Sequence, residues 1–156
     1  MKNTEPTLPA FMRGLILVLL VLGIAGLASP ASAGTYEDEI KAKGATLQNT
    51  DQIKAIFSGN TFEGVSASGK DFQMYTKTDG SASIKIIINP SKEIYGKGVW
   101  SVENGQFCRQ WKDLRDKSLR CRKVYKYSDG SIETVVAEDG AFSSKGKMWE
   151  GNPKGL

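Results

Sequence analysis

Histidine is missing from all 156 residues. Without imidazole there is no Ser-His-Asp or Cys-His arrangement to activate a nucleophile, and metal sites lose their nitrogen ligands. Cysteine occurs only twice, at Cys108 and Cys121, too few to complete a zinc site without histidine. No glycine-rich loop leads into a helix in the manner of a phosphate cradle. The stretches Asp79-Gly80-Ser81 and Asp129-Gly130-Ser131 lack the further acids of a calcium loop. No cofactor, metal or catalytic residue is therefore nominated, and the expectation is a protein that is not an enzyme. Paired carboxylates are the one remaining catalytic set, because Glu63, Glu93 and Glu133 lie on candidate strands. Nothing in their spacing favours it.

Long apolar runs are also scarce: there is one, and it is short. Lys2 and Arg13 precede residues 14–28 (GLILVLLVLGIAGLA), and Pro30 and Ala31-Ser32-Ala33 follow before Gly34. A basic start, an apolar core and a small-x-small site make residues 1–33 a secretory signal peptide cleaved between Ala33 and Gly34. As a helix the run would rise about 22 Å, short of the roughly 30 Å hydrocarbon core. The alternative is a retained membrane anchor. No cysteine follows the run and no Arg-Arg pair precedes it, which argues against a lipoprotein or twin-arginine route. The expected location is periplasmic or secreted, with no stable membrane span after processing.

Removing residues 1–33 leaves 123 residues with a net charge of +3, the size of one domain. In an exported chain, Cys108 and Cys121 read as a structural disulfide. Residues 36–43 read as a short charged helix ended by Gly44. A second helix is expected over residues 51–57, capped by Thr50, with Ile53, Ile56 and Phe57 on one face. Together, residues 34–59 form a helical segment ahead of the rest.

From Asn60 the apolar period becomes two. Strands are expected over residues 60–68, 71–78, 82–89, 93–102, 106–111, 119–127 and 131–137, with a last one near 147–149. Asp79-Gly80, Asn104-Gly105, Asp129-Gly130 and Asp139-Gly140 supply the turns, and Gly96 and Gly98 suggest a bulge or bend. The similar stretches around Tyr75 and Tyr125, each ending Asp-Gly-Ser, read as two like hairpins. Seven or eight short antiparallel strands in meander order avoid exposed edges by curling. The expected fold is thus mainly β, a small up-and-down barrel or half-barrel over residues 60–156.

One segment concentrates charge. Residues 105–126 carry eight basic side chains against Asp113 and Asp116, and they include Arg109, Arg115, Arg120 and Arg122, every arginine beyond residue 33. Arginine suits forked recognition of carboxylate or phosphate. Export turns this segment away from nucleic acid and towards an anionic envelope component or an envelope protein. The alternative is a solvated hairpin whose aromatics pack inward. A second candidate site is an apolar-ligand lining made by Phe72, Tyr75, Trp100 and Trp111 inside the barrel, set against ordinary core packing of the same residues. A protein-inhibitor role for a rigid disulfide-closed hairpin is a further option.

A wider pattern joins these parts. A short helix ends in Phe57-Ser58-Gly59-Asn60-Thr61, with Gly64 after it; Tyr75, Asp79-Gly80 and Gly98-Val99-Trp100 follow. Then come Gly105-Gln106-Phe107-Cys108-Arg109-Gln110-Trp111, Cys121 with Val124-Tyr125, and the ending Gly151-Asn152-Pro153-Lys154-Gly155-Leu156. In these residues the chain resembles a family of small exported proteobacterial proteins, the domain-of-unknown-function family numbered nine-nine-five. The resemblance implies a periplasmic, lipocalin-like small barrel with a hairpin disulfide, and it brings no established activity.

Overall fold

The computed structural model describes residues 35–114 and 117–156. The signal segment with its Ala33–Gly34 junction, and Arg115 of the basic segment, lie outside the described residues. Two short helices precede the barrel: α1 (Tyr36–Ala42) and α2 (Thr50–Phe57), with the two-residue strand β1 (Thr46–Leu47) between them. Eight longer strands follow: β2 (Asn60–Ser66), β3 (Asp71–Thr76), β4 (Ser81–Asn89), β5 (Lys92–Glu103), β6 (Gln106–Trp111), β7 (Arg120–Lys126), β8 (Ile132–Val136) and β9 (Phe142–Glu150). Each pairs antiparallel with its neighbour in the chain, and β9 returns to β2 in register from Asn60–Glu150 to Ser66–Ser144. That last ladder closes the barrel and removes both sheet edges, as the meander pattern leads one to expect.

Both helices start with reciprocal caps. Thr35 and Asp38 cap α1, and Asn49 with Gln52 caps α2. The cap of α2 is therefore Asn49, one residue before the expected Thr50, because the Asn49 carboxamide reaches the Gln52 N–H at 3.0 Å. Strand β1 lacks a sequence signal of its own. It takes up the edge of β7 at Tyr125 and Lys126, beyond the stretch where β6 pairs with β7.

Strand alternation sends one face of each strand to the barrel interior. Phe62, Phe72, Met74, Ala82, Ile84, Phe107, Trp111, Val124 and Ile132 meet there in one buried cluster. Helix α2 plugs one end of the barrel. Its Ile53 and Phe57 are fully buried, and the Phe57 ring stacks on Phe107 at 4.2 Å between centroids and meets Phe62 edge-on at 5.8 Å. The Thr76 hydroxyl donates to the Phe57 carbonyl, and Asn60 Nδ2 donates to Ile56 O at 2.9 Å. These bonds tie the helix end to the rim.

Helix α1 packs instead on the outer face of β7 and β8, where Ile40, Ala45, Tyr125 and Val135 form a second cluster. Beneath it Glu133, 1% exposed, accepts hydrogen bonds from the hydroxyls of Tyr36 and Tyr127 and pairs with Lys145 at 3.2 Å. Glu37 in α1 accepts from the Tyr125 hydroxyl, and Lys123 donates to it at 2.8 Å. Two carboxylates thus pin the helix to the wall.

Gly96 and Gly98 do not make the expected bulge. The β4–β5 register runs unbroken through Ile84–Gly96 and Ala82–Gly98 and shifts only between Ile87 and Asn89. The glycines serve close packing: an added Cβ at Gly98 would lie 2.2 Å from the Gln110 carbonyl, and one at Gly96 would lie 2.4 Å from Leu114 Cδ1. Asn104-Gly105 does form the tight turn its sequence announces, with φ of 50° and 71°. The two Asp-Gly-Ser turns are alike in detail. Asp79 Oδ1 accepts from Ser81 N at 2.8 Å and Asp129 Oδ1 from Ser131 N at 2.9 Å.

Candidate ligand-binding site

The end opposite α2 is open to a cavity of about 430 Å³, within the range of small-molecule sites. Its geometry follows from one cross-strand disulfide. Cys108 on β6 and Cys121 on β7 face each other in register and are bonded. Neighbouring residues on each strand must then point to the opposite face, so Arg109 and Arg120 sit opposite each other, as do Phe107 and Arg122. Since Phe107 belongs to the interior, so do the three arginines, and all three line the cavity. Lys123, one residue on, turns outward to Glu37. The pleat separates the basic segment into arginines within and a lysine without.

Two of the arginines are held by interior contacts. Arg122, 9% exposed, donates from Nε to Ser143 Oγ at 2.7 Å and from Nη1 to the Cys121 carbonyl at 2.6 Å. Arg109 reaches the core: its Nη1 lies 3.5 Å from the sulfur of fully buried Met74, and its guanidinium stands over the Trp111 ring at 5.8 Å. Arg120 donates from Nε to Ser118 Oγ at 3.2 Å. All three have further interactions within the protein, which orient them before any ligand arrives. The wall contributed by β3 and β4 is apolar, made of Phe72, Ile84, Ile86 and Ile88. The cavity therefore has a cationic wall and a hydrocarbon wall.

Of the four aromatics expected to line a pocket, Phe72 does so. Tyr75 has the opposite strand parity to Met74 and lies on the outer face, paired with Thr61 and Ser83. Trp100 packs near the α2 end, stacked on Phe107 at 5.9 Å, with its indole N–H donating to the Lys77 carbonyl at 2.8 Å. Trp111 is 5% exposed and fills the core against Gly98. The lining residues that composition alone did not mark are the isoleucines of β4. Their period-two spacing was the available signal, since it places all three on the face shared with Phe72.

The three glutamates are not gathered. Glu63 accepts from Gln73 Nε2 at 2.7 Å and pairs with Lys154 at 3.3 Å; Glu93 accepts from the Tyr95 hydroxyl at 2.6 Å and pairs with Lys85 at 3.4 Å. Glu133 lies under α1. The hydrogen bonds from Gln73 and from Tyr95 hold the carboxyls of Glu63 and Glu93 below their ordinary range. Burial pushes Glu133 up, but its two tyrosines and Lys145 outweigh that, and the net shift is downward. Each is a carboxylate in an ion pair, the reverse of a general acid poised near neutrality. Among the described residues no three His, Cys, Asp or Glu side chains come together as metal ligands, and no helix is long and apolar enough to cross a membrane. No protein-family model matches the chain, and no curated protein matches it closely.

Proposed function

We propose that this is an exported, non-enzymatic barrel protein of the envelope that binds an anionic partner, and that Arg109, Arg120 and Arg122 receive that partner inside the barrel. The observation that carries the reading is the convergence of three guanidinium groups on one cavity. Arginine in a site of lowered dielectric makes charge-assisted, forked hydrogen bonds to carboxylate or phosphate, and folding has already met the cost of orienting these side chains. Export is supported by the apolar run and small-x-small site of residues 1–33, and by the Cys108–Cys121 disulfide. The resemblance to the nine-nine-five family is consistent with this role and rests on the motifs themselves.

The arginine site differs from a basic outer hairpin meeting an envelope surface, because it takes a small molecule or a terminal group rather than a flat polymer. A purely apolar cargo is the second reading, favoured by Phe72 and the β4 isoleucines. Native mass spectrometry of the protein purified from its own host separates the two. The expected result is a co-purifying acid that is lost in the Arg109→Gln variant. A neutral cargo retained by that variant, or a clean apo mass with no anion raising thermal stability, overturns the reading. The same spectrum reports the start of the chain: Gly34 agrees with export, and an intact Met1 contradicts it.

A further inference from the structure

Charge also gathers on the outside of the barrel, away from the cavity. Independently of the anion-site reading, we infer that the outer wall of β5 and β6, with the loop that follows β6, docks on an anionic lipid bilayer. Strand parity assembles the surface. Gly96 and Gly98 face the interior, so Lys97 and Val99 face out. Arg109 and Trp111 turn inward, so Gln110 and Lys112 face out. Val99 pairs with Gln110, and the Lys112 N–H donates to the Lys97 carbonyl at 2.8 Å. Leu119 precedes Arg120, the partner of Arg109, and so flanks Gln110 on its other side. Gln110 Nε2 donates to the Lys117 carbonyl at 2.8 Å and holds that lysine against the same wall. Val99, Lys112 and Lys117 accordingly border one surface depression.

Apolar and basic side chains are both left to solvent here. Val99 is 44% exposed and Leu119 51%, about 10 Å apart across two strand spacings. The exposed ring of Tyr95, two residues before Lys97, extends the strip, its hydroxyl donating to Glu93. Lys97, Lys112 and Lys117 are exposed, and among the described residues no carboxylate lies within ion-pair distance of them. Neighbouring Lys85, by contrast, pairs with Glu93. The described part of the loop carries one acid, Asp113. A second copy of the chain would set these lysines against their own kind. An acidic protein would meet the lysines, but protein interfaces concentrate their energy in large aromatic or arginine anchors at a buried centre. Here two aliphatic side chains stand among lysines. A bilayer needs no matched pocket: acyl chains accept Val99 and Leu119 where they protrude, lysine stems lie along the apolar boundary, and their ammonium groups meet phosphates.

Sedimentation of the disulfide-intact protein, purified from its own host, with sucrose-loaded vesicles tests this. Vesicles of equal parts phosphatidylglycerol and phosphatidylcholine should bind roughly a hundredfold tighter than pure phosphatidylcholine, about fivefold per lysine. The difference should collapse in about 0.5 M salt. Replacing Lys97, Lys112 and Lys117 together by glutamine should remove most of it. The same change at Lys43, Lys126 and Lys147, exposed elsewhere on the protein, should cost less than about threefold, because their charges lie beyond the screening length from the docked wall. Val99→Ser with Leu119→Ser should weaken vesicle binding roughly tenfold and leave binding to soluble poly-glutamate unchanged. Urea unfolding reports whether each variant keeps the parent's stability. The first lysine triplet should also retain any anion held at the cavity arginines, so this inference and the cavity reading fail separately. No binding to the charged vesicles, equal binding to charged and neutral ones, or an equal loss from the two lysine triplets overturns the inference. So does poly-glutamate binding as tightly as the vesicles with no effect of the serine pair, which would assign the wall to an acidic protein.

Discussion

Replacing Glu133 by alanine tests how the N-terminal helix is held. Glu133 is 1% exposed, on the outer face of β8, and its carboxylate accepts from the Tyr36 and Tyr127 hydroxyls. Hydrogen bonds to a charged group contribute about 1.5–3 kcal/mol each. The Lys145 pair adds at most about 1 kcal/mol, since that lysine side chain is 53% exposed. Truncation also strands two tyrosine hydroxyls beneath α1. The expected loss is about 3–5 kcal/mol, or about 12–20 °C in Tm for a domain of this size. Urea unfolding at pH 7 with the disulfide intact, followed by tryptophan fluorescence, measures it. Glu133→Gln keeps the shape and one acceptor and should lose less than half as much. Glu93→Ala removes a carboxylate that is 39% exposed and should stay within about 0.5 kcal/mol. If Glu133→Ala costs no more than Glu93→Ala, the helix is not held by this carboxylate and the reasoning fails.

Two further outcomes follow from the same frame. Hydrogen bonds from Lys123 and Tyr125 push the Glu37 carboxyl down from an ordinary 4.5 to about 2. Its contribution is therefore complete above about pH 4.5 and lost as pH falls towards 2. Glu37→Gln should cost about 2 kcal/mol at neutral pH, a figure reduced for the solvent around Lys41. In urea titrations the gap to the parent should narrow steadily between pH 4.5 and 2; a constant gap would refute the assignment. Replacing both Cys108 and Cys121 with serine should cost about 3 kcal/mol for a crosslink spanning 13 residues of sequence. Since among the described residues β6 and β7 share just the pairs Phe107–Arg122, Cys108–Cys121 and Arg109–Arg120, the loss should appear as faster hydrogen exchange in that ladder. Unchanged exchange there would mean the register is held by other contacts.

Much of this architecture could be read locally. Period-two runs between Asp-Gly and Asn-Gly turns define the first seven barrel strands to within a residue or two, because pleat and turn chemistry depend on near neighbours, whereas the last, expected near residues 147–149, begins already at Phe142. The expected end of β3 at residue 78 overshoots by two residues, since Lys77 and Thr78 already belong to the Asp79 turn. The short β1 escaped detection because two residues have no period, and its pairing depends on the end of β7 at Tyr125 and Lys126 that β6 leaves unpaired. Gly96 and Gly98 read as a bulge or bend because chain-local reasoning sees missing side chains without seeing Leu114 and Trp111 that fill the space.

The basic segment shows the division most clearly. Composition establishes that the arginines beyond residue 33 cluster around the two cysteines, and that those cysteines can close a hairpin. Alternation further requires Arg109, Arg120 and Arg122 to share a face. Which face is concave is a property of the closed sheet. Curvature, the plug of α2 and the packing of α1 outside β7 and β8 together turn that face inward, and they place it across from isoleucines more than thirty residues earlier in the chain on average. The kind of chemistry was written in residue types; its enclosure came from barrel closure, because no local interaction distinguishes the inside of a sheet from its outside.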